Sequence, residues 1–158
     1  MSETLAGCAE AILRDWVQSE SLRKHCYAVA DSMKHFAQLN GEDVDLWEAV
    51  GLLHDMDYER HPNLERNATE GHPFVGVAWL RENNWSEGVC RAILSHADYS
   101  GVSRNTVLEK TLYAVDELSS FVESDATYWR LACLTSRREH VLARPRTNTE
   151  RVERIVDS

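Results

Sequence analysis

Apolar residues recur at three- and four-residue spacing along almost the whole chain, and no alternating apolar–polar run lasts beyond a few positions. That pattern predicts α-helices and argues against a sheet. A first helix is expected from about Glu3 to Val17, with Leu5, Ala9, Ile12, Leu13 and Trp16 along one stripe. A second is expected from Ser21 to about Leu39, with Ser21 as cap and Asn40-Gly41 as the stop. Its buried side would carry Leu22, His25 or Cys26, Val29, Met33 and Phe36. A third helix follows Glu42-Asp43, carries Val44, Trp47, Val50, Gly51 and Leu53, and ends in His54-Asp55-Met56-Asp57.

The next segment, Tyr58 to Gly71, has a proline, two asparagines and mixed charge, so it reads as a loop with about one helical turn. Loops of that length inside compact domains are usually functional. His72-Pro73 is expected to open a fourth helix, with proline in the first turn and Phe74, Val77, Ala78 and Leu80 on the packing face. Ser86 should cap a fifth helix that runs through Val89, Ala92, Ile93, His96 and Ala97. After a polar connection from Asp98 to Asn105, a sixth should run from about Thr106 to Val122 or beyond, with one more helix in the segment that begins at Asp125. The expected fold is therefore all-α: a single bundle of about six to seven helices over residues 1–144, then a charged tail over 145–158.

Composition narrows the classes. A chain of 158 residues is about one domain, and 43% hydrophobic content with five tryptophans can bury a core without disulfide staples. Cys8, Cys26, Cys90 and Cys133 are widely separated and form neither a disulfide framework nor a zinc-ribbon pattern, so reduced thiols are expected. The balance of 17 Lys+Arg against 26 Asp+Glu gives a formal charge of −9, which argues against a nucleic-acid polymer as partner. No run of about 18 apolar residues exists and the first five residues are polar and acidic in character, so neither membrane association nor a signal peptide is expected, and the expected location is cytoplasmic. Tryptophans 16, 79, 85 and 129, if exposed, would offer a homodimer surface.

The chemistry lies in the histidines and in two aspartates. His25 falls on the buried register of its helix; taken alone, such a residue is more often hydrogen-bonded in a core than a ligand. His54-Asp55 follows the apolar run Ala49 to Leu53, and offers an imidazole and a carboxylate, a set that suits first-row divalent metals. Read blandly, the pair is a helix-end stop. His96 lies on the apolar side of the fifth helix, and Asp116 interrupts Leu112-Tyr113-Ala114-Val115. A carboxylate in that setting loses several kcal/mol of hydration unless paired or metal-bound, roughly. His72 projects from the start of its helix, and Gly76 one turn on would allow another group to approach closely. Several helices each turning a histidine or aspartate inward form the pattern of a metal site in a helical bundle. A closed structural zinc site is disfavoured because no thiolate is positioned for it. His35, His61 and His140 read as surface or local residues, and Glu117 as a solvated neighbour of Asp116.

The order His25, His54-Asp55, Asp116 resembles the H…HD…D signature of HD-domain metal-dependent phosphohydrolases, and Ala49 to Tyr58 is similar to the motif-bearing helix of that superfamily. With His72 and His96 added, the set resembles the H…HD…H…H…D version that holds two metals. The resemblance spans about Leu22 to Val122, and Gly71 to Gly76 and Ala114 to Leu118 look most like small stand-alone bacterial HD hydrolases. Asp57 departs from the pattern, standing where many relatives carry a basic residue or glycine.

What the resemblance implies is a site for one or two divalent transition-metal ions (iron, manganese, cobalt, nickel or zinc). Asp55 would bridge, His25, His54 and Asp116 would complete one ion, and His72 and His96 the other. A metal-bridging hydroxide would then attack phosphorus in a small phosphorylated substrate, a nucleotide or other phosphoester. Asp57 is a candidate proton donor or orienting group, or a solvated helix-end residue; Arg104 and Lys110, framing the start of the Asp116 helix, are candidate phosphate binders. The charge of −9 does not oppose this, since about +4 of metal charge would outweigh about −2 of ligand and about −1 of hydroxide. Two alternatives share the ligand set: a di-iron oxygenase of the same superfamily, and a non-catalytic metal-containing sensor module.

Overall fold

A computed structural model describes residues 4–135, with side chains through 121. Two compact units are distinguished, residues 1–119 and 120–158, and every residue of the candidate site belongs to the first. The boundary expected near residue 144 and the charged tail lie outside the described residues, as does His140.

The described residues form six α-helices and no strand: α1 (Leu5–Trp16), α2 (Glu20–Asn40), α3 (Val44–Leu53), α4 (Phe74–Glu82), α5 (Glu87–His96) and α6 (Val107–Thr135), with a 3-10 turn at Asp98–Ser100 before α6. The expected all-α fold is what forms. Residues 125–135 continue α6 instead of starting a separate helix.

The centre is α3, which buries Trp47, Ala49, Val50, Gly51, Leu52 and Leu53. Apart from Asp45 and Glu48 the helix is apolar from Val44 to Leu53 and has to be enclosed, and α1 and α2 both pack against it. Gly51 sets the closeness of one contact: a Cβ there would lie 2.6 Å from Ala30 Cα, so the backbones of α2 and α3 touch. His25 and the residues after Leu53 are thereby drawn together.

Hydrogen bonds from distant carboxylates fix where the helices begin. Asp45, in the first turn of α3, accepts from the Leu5 and Ala6 amides at 2.7 and 3.1 Å and so holds the start of α1. Glu59 accepts from the Gln18 and Ser19 amides at 2.8 and 3.0 Å, tying the turn after His54-Asp55 to the start of α2. Because these amides are held, α2 starts at Glu20 with Ser19 as its cap, two residues earlier than the expected Ser21. Gly41 ends α2 with a left-handed backbone, as the Asn40-Gly41 pair predicts. Pro73 precedes α4 as its N-cap and does not lie within its first turn.

Three side chains expected in the core are not there: Phe36 is 40% exposed because Ala37 takes the inward register, and Leu5 and Ala78 also face outward. The tryptophans err the other way. Trp16 is buried, and Trp79 and Trp85 pack partly buried against the core; the side chain of Trp129 lies outside those described.

Candidate metal centre

After Leu53 the helix gives way to a succession of turns, with the Met56, Tyr58 and His61 amides donating to the carbonyls of Leu53, Asp55 and Asp57. On a continuous helix neighbouring residues diverge by about 100°. Here the turning backbone brings His54 and Asp55 to one centre and sets Asp57 behind His72, with His54, Met56 and Asp57 buried and Asp55 nearly so.

Three of the imidazoles are oriented from behind. His54 Nδ1 donates to the Gly51 carbonyl at 2.7 Å, and His96 Nδ1 donates to the Ile93 carbonyl; each uses a carbonyl three residues back at a helix end. His72 Nδ1 donates to Asp57 Oδ1 at 2.7 Å. With Nδ1 committed to donation, the Nε2 of each ring in its neutral form is left as a lone-pair acceptor facing inward.

These Nε2 atoms form two groups. In one, His25 Nε2 lies 3.3 Å from His54 Nε2 and 3.0 Å from Asp116 Oδ1, with His54 Nε2 to Asp116 Oδ1 at 3.6 Å. In the other, His72 Nε2 lies 3.2 Å from His96 Nε2. Asp55 stands between them: its Oδ2 is 3.8 and 3.6 Å from the Nε2 atoms of His25 and His54, and its Oδ1 is 3.3 and 3.5 Å from those of His72 and His96. In each trio, His25/His54/Asp116 and Asp55/His72/His96, the ligand atoms lie within 4.8 Å of one another. Acceptor nitrogens brought this close stabilise each other only through a shared proton or cation, so the donor set fits divalent transition metal.

The electrostatics agree. Burial alone would lower the pKa of His54, but the carboxylates of Asp55 and Asp116 overcome it and push it up to about 9. Burial alone would raise Asp55, but the surrounding imidazoles of His54, His96 and His72 hold it well below the usual carboxylate range. Asp116 is likewise held low, against its burial, by hydrogen bonds from His25 and His54. The centre is a cavity of acceptors that gathers positive charge.

All six residues singled out by sequence as ligands therefore converge. Asp57 lies behind His72, 1% exposed, with Oδ2 accepting from the Gly76 amide at 2.6 Å, so it is not the solvated helix-end residue that one reading of the sequence allowed. The small residue at Gly76 is what admits it: a Cβ there would sit 2.9 Å from Asp57 Cγ. Arg104 is engaged elsewhere, donating to the Ser95 carbonyl at 3.0 Å and to Asp98, with its guanidinium 3.6 Å from the Tyr113 ring centre. Lys110 is exposed on α6. His35 and His61 are exposed, as expected, whereas Glu117 is half-buried.

Several residues that hold the site escaped the sequence reading. Asn63 Nδ2 and the Tyr99 hydroxyl both donate to the His72 carbonyl at 3.0 Å. Glu109 accepts from the Asn105 and Thr106 amides at 2.6 and 2.9 Å and pairs with Arg91 at 2.8 Å, fixing the start of the helix that carries Asp116. The Thr106-x-x-Glu109 spacing is a capping box, and so was legible.

No curated protein and no solved structure gives a match. The family model for the HD domain matches residues 22–120, a span that holds all six converging residues. The chain belongs to the HD-domain family, whose members are generally metal-dependent hydrolases.

Proposed function

We propose that the protein is a metal-dependent phosphohydrolase acting on a small phosphorylated compound, a nucleotide or other phosphoester. The observation that carries the reading is the placement of Asp55, with one oxygen toward each of two histidine-containing trios. His25, His54 and Asp116 would hold one divalent ion, His72 and His96 the other, and Asp55 both. Ions held there would supply Lewis acidity, which activates water at neutral pH and offsets charge on phosphoryl oxygens.

The chain's own residues do the rest. The Gly51 and Ile93 carbonyls and Asp57 fix the imidazole tautomers, so that Nε2 is the atom presented in each case. Asp55 and Asp116, ionised at every working pH, are ready to ligate without releasing protons; His54, with its pKa near 9, has to give up one. A cytoplasmic setting is part of this reading, and Cys8 and Cys90 carry reduced thiols. Among the described residues no helix is long and apolar enough to cross a membrane.

The test is metal analysis of protein purified without chelator, followed by phosphate release from a panel of nucleotides and phosphomonoesters. At least one transition ion per chain and metal-restored phosphate release are expected. Oxygen uptake by the iron-loaded protein without phosphate release would replace this reading with an oxygenase. Retained fold after chelation with no turnover of any compound would replace it with a sensor module.

A further inference from the structure

His72 is the ligand the helices do not support. His54 and His96 lie at helix ends, where a carbonyl three residues back is already aimed at Nδ1. His72 precedes α4 and has no such turn behind it. Its main chain is instead held by three groups: its amide donates to the His61 carbonyl at 2.7 Å, and its carbonyl accepts from Asn63 and Tyr99. For the ring, the substitute is Asp57.

Asp57 is held as firmly as it holds. Its second oxygen is fixed by the Gly76 amide at 2.6 Å, and a side chain of any size at Gly76 would collide with the carboxylate. Both neighbours donate, so the position calls for a group that only accepts. The two trios also differ in number: His25, His54 and Asp116 own three ligands apart from Asp55, whereas His72 and His96 own two. The second trio thus has less to lose before it fails.

We propose that Asp57, seated in the space left by Gly76, is the positioning residue that makes His72 a ligand, so that the ion of the Asp55/His72/His96 trio depends on it and the ion of the His25/His54/Asp116 trio does not. The inference rests on the two-ion reading above. In Asp57→Asn, the amide oxygen turned toward Gly76 places NH2 against His72 Nδ1, which has to become the acceptor. The ring proton then moves to Nε2, the ligand atom. The opposite orientation sets two donors face to face at the Gly76 amide, leaving a buried donor unsatisfied. Gly76→Ala reaches the same end by displacing the carboxylate without altering its chemistry.

Two measurements decide it. Mn2+ is added to chelator-stripped wild type, Asp57→Asn and Gly76→Ala, with stoichiometry and affinity read by calorimetry and spin coupling by electron paramagnetic resonance. The ring nitrogens of His72 are read by 15N NMR in the metal-free proteins. Expected are two coupled ions in the wild type, and in both variants an unaltered first ion, a second weakened by about 10- to 100-fold and loss of coupling. In Asp57→Asn the proton on His72 should move from Nδ1 to Nε2. Two tightly bound ions in both variants, or equal loss of both ions, would overturn the proposal. If the wild type takes up fewer than two ions, the two-ion reading fails, and the NMR result alone judges Asp57: a moved proton upholds its positioning of His72 and an unmoved one refutes it.

Discussion

Replacing Gly51 with alanine tests whether the α2–α3 contact sets the geometry of the centre. The added Cβ would lie 2.6 Å from Ala30 Cα, 2.9 Å from Ala30 N and 3.2 Å from Ala30 Cβ. Carbon atoms in good contact stand about 3.5–4.0 Å apart, so the two backbones have to separate by roughly 1 Å. Two of the three atoms met are backbone, and no rotamer change relieves them. Overpacking of this sort costs about 1–3 kcal/mol, with a rigid neighbour at the upper end. Alanine also gains about 1 kcal/mol over glycine inside a helix, so the net loss should be about 2 kcal/mol. With a urea dependence of about 1–3 kcal/mol per molar, the unfolding midpoint should fall by roughly 1 M.

Gly88→Ala in α5 is the matched control, because the nearest atom to its added Cβ is Ser86 Oγ at 3.9 Å. It should gain up to about 1 kcal/mol. The same 1 Å separation acts on the pair His25 and His54, whose Nε2 atoms stand 3.3 Å apart. Gly51→Ala should therefore bind its first ion more weakly at equal degrees of folding, whereas Gly88→Ala should not. A midpoint for Gly51→Ala that is unchanged, or raised in step with Gly88→Ala, would refute the close contact and the account of how the first trio is assembled.

The metal-free protein should be most stable in mildly acidic solution. His54, raised from 6.5 to about 9, contributes stability that is complete below pH 6.5 and lost as pH rises through about 9. Asp55 and Asp116, lowered from 3.8, contribute stability that is present above that value and lost as pH falls below it. Thermal melts of chelator-treated protein should thus peak between about pH 4 and 6.5, and a maximum above pH 8 would contradict the assignment. Metal uptake should run the other way: His54 has to lose its proton, so apparent Mn2+ affinity should rise with pH up to about 9, with proton release in weakly buffered calorimetry. Glu109→Ala removes two amide caps and the partner of Arg91, and should cost about 2 kcal/mol in urea denaturation while the ion stoichiometry holds. Arg104→Ala loses the bonds to Ser95 and Asp98 and the contact with Tyr113, so stability should fall by about 1–2 kcal/mol. Its KM for accepted phosphorylated compounds should stay within about twofold; a larger rise would show that Arg104 meets the substrate.

Five of the six ligands were legible because each breaks a local rule. His25, His96 and Asp116 occupy helical positions that the apolar period assigns to the core, and His54-Asp55 follows five residues with no polar side chain among them. Such violations are expected at functional sites, where tertiary neighbours repay the local conflict. What sequence could not supply is the partner that arrives from elsewhere. Ser19 and Ser21 are equally good caps by composition, and Glu59, some forty residues away, decides between them by holding the Gln18 and Ser19 amides. Asp57 reads as a solvated residue if the helix is extended past Leu53; its burial follows from turns that no period announces, and from the absence of a side chain at Gly76. Gly76 did carry a signal, since a small residue one turn after His72 implies a close neighbour, but the neighbour's identity is a fact about the fold. Phe36 shows the same limit within one helix: the stripe Val29, Met33 allows either residue 36 or 37 next, and the smaller Ala37 is the one buried. Periodicity and misplaced polarity thus locate the ligands, and the carbonyls that aim His54 and His96 lie in their own helix ends. The tautomer of His72 depends instead on the fold, through Asp57.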